Sequence, residues 1–261
     1  RALTNIITGF PDRPKINRID IDIKMLEFNK ILADRQRGID DNVSYYRQKV
    51  NAKIRHRSSV YKAKVRLKGT SLDHWRAKTR MSLRINLRGN KTINGFKKFS
   101  LHKPGSRQYP YDNIFQKLMR QLGNLAAVHK SVHVFVNGKN WGIMDMQEHV
   151  SKEMLEKQRV KNSIVVYLGS RYLARYQRKA SEVYKNYHLN NGHLIIDVFS
   201  SKKYLKDLVH RKYLSYLIEE SVKANRENII DKQAFFKTIL AYMVWNNEHG
   251  LNYQNWRFYF N

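Results

Sequence analysis

Cysteine is absent from all 261 residues. That excludes a disulfide framework, a thiolate nucleophile and any cysteine-based metal site. It leaves the compartment open, because a chain without thiols suits either redox environment. Carboxylates are scarce: 21 Asp and Glu stand against 50 Lys and Arg, a formal net charge of +29. No apolar run approaches the ~20 residues of a spanning helix, so no transmembrane segment is expected. No signal peptide, internal repeat or low-complexity segment is visible. Around Glu148 and His149 the zinc motif HExxH fails, since Gln147 and Ser151 stand where its histidines would be. The chain opens on Arg1 and stops at Asn261 within a strand pattern, and is read as a fragment.

What is present starts with charge. Basic residues recur from Arg13 to Arg257, so no single tail accounts for the excess. Such a balance favours polyanionic partners: nucleic acid, phosphorylated metabolites, acidic polysaccharide or an anionic membrane surface. With 42% hydrophobic residues the chain can also build a core, and its composition does not read as disordered.

The sharpest pattern is Tyr61-Lys62-Ala63-Lys64-Val65-Arg66-Leu67-Lys68, which alternates apolar and cationic and then enters Gly69-Thr70-Ser71. Period two puts Tyr61, Ala63, Val65 and Leu67 on one face of a strand and the four cations on the other. Met81 to Arg88 repeats the pattern with Arg84 and Arg88. Like charges side by side on a sheet repel, and an anion would offset that. The Gly69 turn either offers backbone N–H groups to the anion or is an ordinary hairpin turn.

Along the chain, Ile16–Lys24 reads as a half-buried strand and Met25–Arg37 as a helix ended by Gly38. Strands follow at Val50–Arg57, at the two basic segments and at Phe96–Leu101. Asp112 is a fair N-cap for a helix over 113–122. Val132, Val134 and Val136, the Asn137-Gly138 turn and Trp141–Met146 form a hairpin. Ser151 caps a short helix to about Arg159, and Ile164–Leu168 is a short strand. Ser201–Val222 and Asp231–Asn246 read as long helices, with Phe235, Ile239, Leu240 and Met243 on one face of the second. Trp256–Phe260 is a last strand. Strands first and helices after is an α+β order: a mainly antiparallel N-terminal lobe, then a helical lobe.

The run Val65–Trp75 resembles the CotH family, the spore-coat-H-like atypical protein kinases. So do Ser82–Ile85, Phe99–Pro104, the helix after Tyr111, and Val134–Ile143 with Gln147-Glu148-His149. His249–Tyr259 is similar to that family's catalytic-loop region. The resemblance implies a kinase-like two-lobe architecture. Residues 1–149 would be a β-rich nucleotide-binding lobe. Residues 150–261 would be a mainly helical lobe carrying the catalytic loop, truncated at its C-terminus. It implies ATP and Mg²⁺, with phosphoryl transfer to a Ser or Thr hydroxyl of a protein substrate.

On that footing Lys68, Gly69, Thr70, Lys78, Arg84 and Arg107 are candidate phosphate contacts. Arg84 is favoured for its fork of donors on the polar face, its rival reading being a solvated strand charge. Glu148 would lie near adenine or be a plain surface carboxylate. Asn255 matches the family's metal-binding amide, with a strand-capping turn residue as the alternative. Glu248 and His249 are candidates for orienting the hydroxyl or taking its proton, beside Asn252. Here the chain departs from the pattern: the family's loop carries an Asp, whereas no Asp lies between Asp231 and Asn261. A neutral amide at Asn252 is no proton acceptor. The rival class is a catalytically degenerate basic scaffold holding an acidic polymer, polysaccharide or nucleic acid. For nucleic acid, Trp75, Trp141, Trp256 and the tyrosines are the stacking candidates.

Overall fold

The computed structural model describes residues 16–42, 47–69, 71–160, 163–168, 196–198, 207–222, 230–247, 250 and 257–259. Seven of its strands close into a barrel. They are β1 (Asn17–Asp22), β2 (Val50–His56), β3 (Ser59–Leu67), β4 (Leu83–Leu87), β5 (Lys98–His102), β6 (His129–Val136) and β7 (Lys139–Glu148). Their order around the wall is β1-β2-β3-β4-β5-β7-β6. Neighbours are antiparallel except for β1 and β6, which close the barrel in parallel with Ile19 opposite Val134.

The alternating sequence fills this barrel. Ile19, Ile21, Ile54, Val65, Leu83, Ile85, Phe99, Leu101, Val132, Val134, Met144 and Met146 are fully buried inside it. Burial of such a side chain contributes about 1.5–3 kcal/mol, so the interior dominates the stability of this unit. The Asn137-Gly138 turn has positive φ at both residues, as a tight hairpin needs. It also helps to seal the barrel: Asn137 Oδ1 accepts from Ile23 N at 2.7 Å, and Asn137 N donates to Ile21 O at 2.9 Å. Helix α1 (Met25–Asp40) packs Ile31, Phe28, Leu32 and Ile39 against the same core. It continues past Gly38, which is buried within it, so packing overrides the weak helix propensity of glycine.

The chain divides into two compact units, Arg1–Ile114 with Ala127–His149, and Phe115–Ala126 with Val150–Asn261. Helix α2 (Tyr111–Gln121) holds Asp112 in its first turn rather than at the N-cap. In the second unit, Ser151 Oγ accepts from Met154 N and caps α3 (Lys152–Lys157). Asp231 caps α5 (Lys232–Val244) through Ala234 N at 3.0 Å. Helix α4 spans Leu208–Val222. A separate antiparallel sheet runs β10 (Phe258–Tyr259), β8 (Val165–Leu168), β9 (Ile196–Val198). Phe115, Met119, Ala126 and Ala241 form a small core, with the Phe115 and Tyr242 rings 4.8 Å apart.

Two expectations are corrected. The α+β, kinase-like two-lobe architecture, with an antiparallel β-rich lobe followed by a mainly helical one, is not the fold observed. The fold is a closed, predominantly β structure whose wall includes a parallel pair, and the later residues add a second sheet. Alternation says which face of a strand is buried; it does not say which strand sits beside it, and closure is a matter of partners. On α5, Leu240 and Met243 are exposed, so the apolar face read from the sequence is not a buried one.

Candidate functional site

Pairing register arranges the outward side chains of β3, β4, β5, β7 and β6 into rows across the barrel wall. Arg66 lies opposite Arg84, Arg84 opposite Ser100, Ser100 opposite Gln147, and Gln147 opposite His129. One step along, Lys64 faces Asn86 and Asn86 faces Lys98, whose carbonyl accepts from His149 N at 3.0 Å. One step the other way, Lys68 N donates to Ser82 O, and His102 faces Asp145. Inward residues of these strands are almost all greasy, so most polar groups lie on this one surface.

His149 reports the field there. Burial is the first cause holding its imidazole neutral; the charges of Arg84, Lys98, Lys68 and Arg66 follow, and together they push its pKa down to about 2. The positive charges that add to burial in keeping His149 neutral also attract phosphate.

The wall is braced by buried polar contacts. His102 Nε2 meets Gln147 Oε1 at 2.9 Å. His129 Nδ1 meets Asp145 Oδ2 at 2.8 Å, both side chains almost wholly buried. His129 Nε2 and Asp145 Oδ1 have no hydrogen-bond partner among the described residues. The loop after Gly69 is pinned from several sides. His74 Nδ1 meets Ser82 Oγ at 3.1 Å, and Arg80 donates to Ile143 O at 2.9 Å. Arg35 of α1 donates to Trp75 O at 2.8 Å and also to Arg76 O. Gly69 has φ +96, and a Cβ there would fall 2.0 Å from the His74 ring. Its glycine is therefore required by the seat of His74.

The sequence candidates distribute unevenly over this geometry. Lys68 and Arg84 act together on His149. Lys78 is exposed on the pinned loop. Arg107 ends the 3₁₀ turn Pro104–Arg107, and its side chain lies outside the described set. Glu148 is buried opposite Phe99 and so takes the barrel-interior parity, away from the face of Arg84. Thr70, Glu248, His249, Asn252 and Asn255 lie outside the described residues. Trp75 and Trp141 are buried in the barrel core, which removes them as stacking platforms. Sequence reasoning left out Lys98, Gln147 and the His129–Asp145 pair. Only the register brings them onto the face that carries Arg84; the one available signal was the outward parity of Lys98 and Gln147.

Among the described residues no three His, Asp or Glu side chains are grouped to hold a metal ion, and no helix is long and apolar enough to cross a membrane. No curated protein matches the chain. The family model described as CotH kinase protein matches residues 65–247, from the cationic strand β3 to the end of the last long helix. That span is well over half of the sequence, and the chain belongs to the CotH kinase protein family.

Proposed function

We propose that this protein binds ATP with Mg²⁺ on the cationic outer face of β3–β5 and transfers phosphate to a Ser or Thr hydroxyl of a protein. One observation carries the reading: the strand register sets Arg66 opposite Arg84 and brings Lys68 and Lys98 to the same outward face, beside the half-buried His149. Membership of a family named for kinases supports it. Four cations on one face suit a triphosphate, and phosphoryl transfer needs positioning and charge neutralisation more than covalent help.

Arg84 supplies a fork of donors to phosphate oxygens, and Arg66, directly opposite, brings the second guanidinium. Lys68 and Lys98 add point charges. Gly69 and His74 hold the loop that borders them. By the resemblance of His249–Tyr259 to the family's catalytic loop, beyond the matched residues 65–247, Asn255 would contribute an amide to the metal and Glu248 or His249 would take the hydroxyl proton. When bound, ATP–Mg²⁺ supplies the phosphoryl group, which leaves its bridging oxygen as the bond to the acceptor oxygen forms.

The test is thermal unfolding with and without ATP–Mg²⁺. A ligand of the native state raises the midpoint as its concentration passes the dissociation constant. The wild type is expected to rise and Arg84→Ala to show no rise while keeping its circular dichroism spectrum. No rise in the wild type, or an equal rise in both, overturns the reading.

A further inference from the structure

The cationic surface does not stop at the residues around His149. On the same outward face, Lys62 lies directly opposite Lys53, and Arg88 N donates to Lys62 O. Lys64 lies opposite Asn51, whose side chain accepts from Arg88 at 2.9 Å. Lys53, Lys62 and Arg88 are exposed. None of the three forms an ion pair among the described residues, because the nearby acids are committed elsewhere. Asp22 is held by Arg55 at 2.8 Å, and Glu27 is held by Lys30. Opposed lysines in neighbouring strands are destabilising. Asp22, directly opposite Lys53 on β1, and Glu27, whose pKa is lowered first by its Lys30 hydrogen bond and also by Lys64, offset part of that repulsion, but each already pairs with another cation.

We infer that this wall, the exposed Lys53, Lys62 and Arg88 with the half-buried Lys64, docks an extended acidic polypeptide segment. Along β3 the cations Lys62 and Lys64 stand two residues apart on the outward face, a repeat of about 6.8 Å. An extended peptide with Asp or Glu at alternate positions has the same repeat, so each acid meets a cation in step. A single-stranded nucleic acid would want exposed aromatic rings among the cations. The ring nearest this wall, Tyr61, is half-buried with Lys91 over it. The wall is separate from the residues assigned to phosphate, so the inference stands whether or not nucleotide binds.

The experiment is fluorescence anisotropy over a salt series with the whole chain. The probe is a labelled peptide carrying Glu at alternate positions. Comparators are a peptide of the same composition with its Glu residues in one block, and a single-stranded deoxyoligonucleotide of equal charge. The alternating peptide is expected to bind tightest, with affinity falling as salt rises. Lys53→Glu/Lys62→Glu/Arg88→Glu is expected to weaken it about tenfold or more. The neutral triple variant to Gln is expected to lie between, and both variants are expected to retain whatever thermal response to ATP–Mg²⁺ the wild type shows. Equal binding by wild type and the Glu variant overturns the inference. So does equal binding of the blocked peptide, or tighter binding of the oligonucleotide.

Discussion

Two stretches of one barrel wall handle charge in opposite ways. On β1 and its neighbour β2, each outward carboxylate meets an arginine: Arg18 grips Asp20 through two nitrogens, and Arg55 grips Asp22. On β2 to β5 the outward cations face one another, Lys53 against Lys62 and Arg66 against Arg84. Both stretches have greasy inward faces and the same alternation, so packing does not explain the difference. A wall that neutralises itself is complete without a ligand. A wall of opposed cations favours an anion, and burial together with those cations holds the pKa of His149 down.

The comparison is tested hardest at Asp145, the carboxylate at the far end of the cationic face. It is spent on His129 and so does not neutralise Arg84. Asp145→Ala leaves a buried imidazole without its partner, and breaking such a pair is expected to cost about 3 kcal/mol of stability in urea unfolding. The ATP–Mg²⁺ response is expected to survive in the folded variant; its loss would mean that Asp145 belongs to the cationic site.

Next in size is pH. Burial and the nearby cations push the folded pKa of His149 from its ordinary 6.5 down to about 2. Between those values the unfolded chain takes a proton that the folded chain refuses. Stability from this group is therefore full above about 6.5 and declines as pH falls, by at most about 1.4 kcal/mol per pH unit. Unfolding midpoints measured from neutral pH downward are expected to drop less steeply in His149→Gln than in the wild type. Parallel profiles would mean that the imidazole does not feel the cations.

The smallest effect is expected on the paired wall. Asp20→Asn removes an exposed ion pair, and such pairs contribute little. Arg18 also stacks on Phe135, 3.9 Å from the ring centre, and keeps its place. The unfolding midpoint should hardly move and no new anion response should appear. A gain of ATP–Mg²⁺ binding at the freed Arg18 would erase the distinction between the two walls.

Much of this was legible in the sequence where one residue pattern decides one local outcome. Strict alternation over 61–68 fixed which side chains of β3 point outward. Asn137-Gly138 announced its hairpin, and Ser151 announced its cap. Outcomes that depend on partners were not legible. The β1–β6 closure rests on Asn137 reaching Ile23, more than a hundred residues away in sequence. Lys98 joins Arg84 only because the β4–β5 register sets Asn86 opposite it. Gly38 reads as a helix stop, yet the packing of Ile31 and its neighbours carries the helix through it.

The most direct measurement is the protonation state of the His149 imidazole, followed by NMR across the pH range in which the protein stays folded, with and without ATP–Mg²⁺. Phosphate bound among Arg66, Lys68, Arg84 and Lys98 offsets their charge, so the ring is expected to stay neutral alone and to gain its proton at higher pH when nucleotide is present. An identical titration in both samples, at nucleotide concentrations that shift the unfolding midpoint, would place the phosphates somewhere other than this wall.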